Sequence, residues 1–159
     1  APTLICMDAE VSVSSPKKTQ IVKIADLFSG NGITPLRLPA NSLITEIIIP
    51  PLGTKKIAYE KLSDRGALDY PVVGVAAFVK MRDGFVEEHG FVATSIGPAP
   101  LVVTAPLLNG RRFDEDFISQ AAGAVFKKAR PVANTSAAPA YRRQMVKTLA
   151  EKALRRLLP

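Results

Sequence analysis

Residues 43–69 read LITEIIIPPLGTKKIAYEKLSDRGALD, and the order of residue types within them decides how the chain is organised. Leu43 to Ile49 is an apolar run carrying one carboxylate, Glu46. Pro50-Pro51 stops it, because proline fixes φ and has no N–H to give to a ladder. The chain turns through Gly53, resumes with Ile57 and Ala58, and then becomes polar at Tyr59, Glu60, Lys61, Asp64, Arg65 and Asp69. A buried strand, a proline stop, a second strand and a charged rim suit a backbone that delivers polar side chains to the edge of a pocket.

The composition around this stretch is that of a packed domain. Hydrophobic residues make up 47% and charged residues 22% of the chain, which is ordinary globular usage. A length of 159 residues fits one domain, or one domain plus a fragment of another. The net charge of +7 favours acidic partners without setting the fold. Lys and Arg are spread along the chain, densest in the last twenty residues, and are not interleaved with aromatics. Trp is absent, and there are only 7 Phe and 3 Tyr. The stacking platforms of single-strand binders are therefore thin, and nucleic acid is not an expected partner.

The single cysteine, Cys6, rules out an intrachain disulfide and a Cys-rich zinc or iron–sulfur site within this sequence. No apolar run approaches the roughly 20 residues that span a bilayer. The opening APTLICMDAEV lacks a basic n-region, and a cytoplasmic location is expected. That opening enters an apolar run almost at once and reads as the middle of a domain. The expectation is a fragment, a processed product or one part of a longer polypeptide.

Upstream of residue 43, Ala9 to Ser14 and Thr19 to Ile24 alternate apolar and polar residues about the turn Ser15-Pro16-Lys17-Lys18, which predicts a hairpin. Ala25 to Phe28 has room for one helical turn. Ser29-Gly30-Asn31-Gly32 reads as a flexible turn, since no Lys-Ser/Thr or helix follows it to make a phosphate loop. Pro35 and Pro39 keep the segment from Ile33 to Leu38 extended.

Downstream, Val72 to Arg82 and Phe85 to Ile96 flank Asp83-Gly84, a strong hairpin signal. The first arm is apolar on both faces, as in a covered central strand, whereas Glu87, Glu88 and His89 near the turn are expected in solvent. Leu101 to Leu108 reads equally as helix or strand. Asp114 is a good N-cap with Glu115 and Asp116 behind it, and the helix it starts ends at Lys127, Lys128 and Arg130 before Pro131. A second helix starts near Ser136 to Pro139. Its apolar stripe is Tyr141, Met145, Leu149, Ala153 and Leu157, widened by Val146, Leu154 and Leu158, with Arg142, Arg143, Lys147, Lys152, Arg155 and Arg156 on the outer face. A set of strands followed by a set of helices indicates an α+β fold.

Few residues point to chemistry. A catalytic triad or a metal site would have to use His89 beside Glu87 and Glu88, at a turn, with no nucleophile in view. Glu87-Glu88 and Asp114-Asp116 are better read as strand-end solvation and helix capping. The basic face of the last helix is either a solvated surface or a docking face for an acidic partner. Lys61, Arg65 and Asp69, spaced by four at a strand end, carry the sharper reading. A cation there can bond the carbonyl edge of a polar ring or a phosphate. The competing reading is a surface ion-pair cluster, Lys61 with Glu60 or Asp64 and Arg65 with Asp69.

Three runs, LITEIIIP, YEKLSDRGALDYPVVGVAA and SAAPAYRRQMVKTLAEKAL, together resemble the FAD-binding (medium) subunit of the molybdenum hydroxylases. That family includes xanthine dehydrogenase and aerobic carbon monoxide dehydrogenase. The resemblance covers essentially the whole chain, and APTLICMDAEVSV is similar to the last part of that subunit's FAD-binding domain. It implies two parts. Residues 1–54 would be the C-terminal part of an FAD-binding domain. Residues 55–159 would be a flavoprotein C-terminal domain, with a three-stranded antiparallel sheet packed on a helical bundle.

The resemblance further implies an FAD cofactor that passes electrons between iron–sulfur clusters and an external acceptor. The molybdenum cofactor and the clusters would sit on partner subunits. By position, Ile44 is implied to offer its backbone N–H to the flavin ring, and Lys61 to lie near the ring's polar edge. Leu68 to Asp69 would lie beside the ring, where the Asp69 carboxylate would act on its potential through Coulombic coupling. The family's glycine-rich diphosphate loops have no counterpart in this sequence, so the missing N-terminal FAD-binding segment is an implied partner. The alternative function is a non-catalytic assembly module of a multisubunit complex.

Overall fold

A computed structural model describes residues 1–66, 68–133 and 137–158. It contains two antiparallel sheets. Helix α1 (Pro2–Cys6) leads into β1 (Glu10–Ser14) and β2 (Thr19–Lys23), followed by a 3-10 turn (Ile24–Leu27) and β3 (Leu43–Ile48). These strands form a three-stranded sheet in the order β2-β1-β3. The second sheet is made by β4 (Lys55–Leu62), β5 (Val73–Arg82), β6 (Phe85–Thr94) and β7 (Leu101–Thr104), in that order. A 3-10 turn (Pro106–Leu108) then leads to α2 (Glu115–Lys128) and α3 (Pro139–Arg155).

The second sheet has four strands and not three. The segment that sequence left between helix and strand is both: Leu101–Thr104 pairs with β6, and Pro106 opens the 3-10 turn. The last helix begins at Pro139; Ser136, the other suggested start, lies outside the described residues.

Local signals build these elements. Asp83 and Gly84 both take positive φ, 52° and 81°, the pattern of a type I′ turn whose twist matches the strands it joins. Asp114 caps α2 by accepting the Phe117 N–H at 2.9 Å. Lys127 and Lys128 close the same helix at its negative end.

Strand β5 is covered on both faces. Val73, Val75, Ala77 and Val79 face a core shared with Phe117, Ile118, Val125, Val146 and Leu154 of the two long helices. Ala76 and Phe78 face a second core with Ile5, Cys6, Val11 and Val13. Each buried Val, Leu or Phe contributes about 1.5–3 kcal/mol, against about 0–1 kcal/mol for an exposed ion pair. Packing on the two faces of β5, not the surface charges, therefore holds the layers together.

Three sequence readings are corrected. The β3 run was expected to be a buried strand. It is the outer strand of its sheet, with Leu43 73%, Ile44 43% and Ile47 56% exposed. Arg142 was placed on the outer face of α3 but is 1% exposed. The buried stripe runs through Arg142, Val146, Leu149, Ala150, Ala153 and Leu154; Val146, Leu149, Ala153 and Leu154 are on the expected apolar face, whereas Tyr141 at its edge is half exposed. The guanidinium donates to the carbonyls of Val132 at 2.7 Å and Val72 at 3.4 Å.

His89 was expected in solvent and is 2% exposed. The register of β5 and β6 slips between Lys80 and Met81, so Glu87 is an extra residue and the inward parity of β6 flips from Val86 to His89 and Phe91. The imidazole packs edge-on to Phe117, 4.9 Å between ring centres. Its Nδ1 lies 3.1 Å from Asn109 Oδ1. With that oxygen as acceptor, Nδ1 carries the proton, and the buried Nε2 is left without a partner.

Burial lowers the His89 pKa below its ordinary value of 6.5; the bond to Asn109 and the nearby Glu88 charge pull weakly the other way. The folded chain thus resists a proton that the unfolded chain accepts. Its contribution to stability is complete above pH 6.5 and is lost as pH falls below it. Thermal melting across pH 7.5 to 5 should show a falling midpoint below 6.5 in the parent chain and a flatter profile in His89→Met.

Candidate functional site

Strand β4 presents two faces with opposite duties. Ala58 and Leu62 pack on the helix side. Glu60, between them, is 7% exposed and is held by Arg156 at 2.7 Å and Lys152 at 3.1 Å from α3. Burial alone would raise the Glu60 pKa, but the bonds and charges of Arg156 and Lys152 outweigh it and leave the carboxyl below its ordinary value. Ile57 and Tyr59 pack on the other side. Two-residue periodicity puts Lys61 on that same side, at the exposed end of the strand.

The connection from β4 to β5 is closed at its base by the Val72 N–H, which donates to the Leu62 carbonyl at 2.8 Å. Inside it, Asp69 organises the backbone. One carboxylate oxygen accepts the Arg65 N–H at 3.0 Å, and the other accepts its neighbour Tyr70 N–H at 2.9 Å. The Arg65 side chain stands 3.6 Å from the first oxygen. Lys61 Nζ donates to the Asp69 carbonyl at 3.4 Å. Arg65, Leu68, Asp69 and Tyr70 line an open cavity of about 340 Å³. Leu68 is 99% and Tyr70 92% exposed beside it.

Lys61, Arg65 and Asp69, singled out in the sequence, are therefore brought together. The Arg65–Asp69 pair of the ion-pair reading is present, but Glu60 is committed to α3 and not to Lys61. Ile44 lies apart, on the three-stranded sheet opposite Val13, and shares no hydrogen bond with Lys61 or Asp69 among the described residues. Sequence reasoning missed Tyr70 as an exposed side chain at the cavity, whereas the resemblance had implied Leu68 beside the ring; the signal available for Tyr70 was its placement between a charged rim and the start of a buried strand.

The other suggested sites dissolve. Among the described residues, no group of three His, Cys, Asp or Glu side chains is placed to hold a metal ion. Cys6 is buried, and burial pushes its thiol up to about 12, so it stays protonated. The basic face of α3 is used within the chain. Arg143 lies over the Phe126 ring at 4.3 Å, Lys147 and Arg155 reach Glu151, and Arg155 also pairs with Glu115. Among the described residues, no helix is long and apolar enough to cross a membrane.

A flat ring with a polar carbonyl edge fits this chemistry. Leu68 and Tyr70 offer apolar surface, and Lys61 offers a cationic donor at its border. Asp69 is the part that can be tested without any ligand. Asp69→Ala removes the acceptor of two backbone N–H groups. Hydrogen exchange at Arg65 and Tyr70 should then quicken by about tenfold or more, while the amides of β5 keep their protection.

The family model for the CO dehydrogenase flavoprotein C-terminal domain matches residues 57–157. The chain is 26% identical over 154 residues to the glyceraldehyde dehydrogenase medium chain of Sulfolobus acidocaldarius, covering 96% of this chain and 54% of that protein. It is 34% identical over 79 residues to the aldehyde oxidoreductase FAD-binding subunit PaoB of Escherichia coli, covering 46% of this chain and 24% of that protein. Its fold matches carbon monoxide dehydrogenase from Hydrogenophaga pseudoflava with a TM-score of 0.85 at 23% identity, covering 97% of this chain and 54% of that one. The chain thus spans about half the length of the relatives it matches along nearly all of itself.

Proposed function

The chain belongs to the CO dehydrogenase flavoprotein C-terminal domain family, and from that premise we propose that it forms one wall of the FAD site in the flavin subunit of a molybdenum-hydroxylase-type oxidoreductase. The observation that carries the reading is the rim of β4: Lys61 beside a loop whose backbone Asp69 fixes and whose exposed side chains are Leu68 and Tyr70. In this reading the chain has two parts, divided at residues 54 and 55. Iron–sulfur and molybdenum-cofactor subunits are its partners, and the remainder of the FAD-binding domain supplies the diphosphate site.

When bound, the flavin supplies reversible electron transfer between the iron–sulfur clusters and an external acceptor. The residues of this chain bind and orient it. Lys61 donates to the polar edge of the ring and adds positive charge there. Ile44 gives a backbone N–H from the exposed strand β3. Asp69 holds the loop shape that keeps Leu68 and Tyr70 at the ring's border.

A purely structural assembly module is the competing function. Its basic docking helix is weakened as an argument by the internal partners of Arg142, Arg143, Lys147, Lys152, Arg155 and Arg156.

Titrating FAD by fluorescence quenching tests the proposal. The chain alone should bind weakly, and adding the N-terminal FAD-binding segment of the subunit should bring saturable, stoichiometric binding. Lys61→Ala should weaken that binding by roughly 10–100-fold, the loss expected of a charge-assisted hydrogen bond. Submicromolar binding by the chain alone, or an unchanged affinity in Lys61→Ala, would refute the reading.

A further inference from the structure

Lys61 pairs across the sheet with Gly74, and Gly74 pairs with Thr94 on the next strand. The middle member of this row has no side chain, and the reason is steric. A Cβ at residue 74 would lie 2.6 Å from the Tyr59 hydroxyl and 2.9 Å from Thr94 Oγ1, closer than non-bonded atoms approach. The Tyr59 phenol leans from its own row into the place a side chain at 74 would fill, and brings its oxygen to the Thr94 side of Gly74. Thr94 Oγ1 reaches back to the Gly74 carbonyl at 3.4 Å. Burial raises the Tyr59 pKa above its ordinary value of 10, so the hydroxyl remains a donor at neutral pH.

The phenol ring packs with the apolar side chains of the second core, yet among the described residues of that core none hydrogen-bonds its oxygen. The same packing would be served by Phe. The oxygen instead stands on the face of the sheet that carries Lys61, at the end of the sheet where the 63–71 connection leaves. We infer that Tyr59 and Thr94 are cofactor-positioning residues: with Lys61 they form a polar ledge reaching from β4 to β6, in which Lys61 and Tyr59 donate to the carbonyl edge of the planar cofactor and Thr94 Oγ1, whose proton goes to the Gly74 carbonyl, accepts from the ring N–H between the carbonyls, with Gly74 as the gap that lets Tyr59 reach it.

This rests on the proposed flavin site and extends it by two side chains and one glycine to which neither the family match nor the sequence gives a role. The ledge is sharper than a lone cation in what it accepts. One ammonium takes any anion, whereas two donors on β4 and an acceptor on β6 favour a rigid edge that alternates acceptors with a donor.

The test uses the flavin subunit assembled with its partners, stripped of FAD and titrated with FAD and with free riboflavin, which carries the ring and no phosphate. Tyr59→Phe keeps the packing and removes a donor; Thr94→Val removes the acceptor on β6; Gly74→Ala keeps both hydroxyls and forces the phenol away. Each should weaken riboflavin and FAD by a similar factor, about tenfold, and shift the visible absorbance of the bound ring, with melting of Tyr59→Phe unchanged. Lys61→Ala is the control for the site itself. If it weakens the ring and Tyr59→Phe and Thr94→Val do not, the ledge is refuted while the flavin site stands. If Lys61→Ala has no effect either, both readings fail. If Gly74→Ala alone weakens binding while both hydroxyl variants match the parent, the glycine serves packing and the inference is overturned.

Discussion

Strand β5 is covered on both faces, and the rest of the structure depends on that. Its helix side meets α2 and α3, its other side meets α1 and β1, and its residues from Val73 to Val79 are buried throughout. No charged side chain can sit in the middle of such a strand without a costly desolvation. Polar chemistry is therefore pushed to the ends of the sheet and to its outer strands. The β4 end and the connection to Val72 are where the two cores stop and a cation can meet water on one side and an apolar wall on the other.

Register carries this arrangement. On β4 the even positions Ala58, Glu60 and Leu62 go to the helices, and the odd positions Ile57, Tyr59 and Lys61 go to the opposite face. A slip of one residue would send Lys61 into the helix core and move Ala58 to the opposite face. The pairing of Glu60 with both Lys152 and Arg156 opposes that slip, since it fits only one parity. A pair of ionic contacts that adds little to stability, because both cations are more than half exposed, can still select which face the functional lysine takes.

Much of this was legible because it is local. Asp83-Gly84 and Asp114 act within a few residues of themselves, so residue type suffices to place them. The rim at Lys61 was legible for the same reason: charge follows an apolar run within one strand. His89 and Arg142 were not. His89 is turned inward by one extra residue in β6, and nothing in the sequence near Glu87 marks that slip. Arg142 is buried because the carbonyls of Val72 and Val132 receive its guanidinium, and the first of these lies 70 residues away in sequence. The apolar run of β3 shows the complementary limit: hydrophobicity records that a strand is suited to being covered and says nothing of what covers it.

The charges at the rim bear on how Asp69 acts there. Its carboxylate is engaged by two backbone N–H groups and faced by the Arg65 guanidinium at 3.6 Å. A carboxylate so surrounded projects little net field beyond its own loop, because partial positive charges lie closer to it than any ring would. Lys61 is different: among the described residues it has no carboxylate within ion-pair distance, and its one hydrogen bond goes to a neutral carbonyl. Lys61 is thus a rim cation whose charge no neighbouring carboxylate offsets at ion-pair distance among the described residues. On the proposed flavin reading, a planar group that takes up negative charge on reduction would be favoured beside Lys61, and the contribution of Asp69 would come through the geometry of the loop more than through its charge.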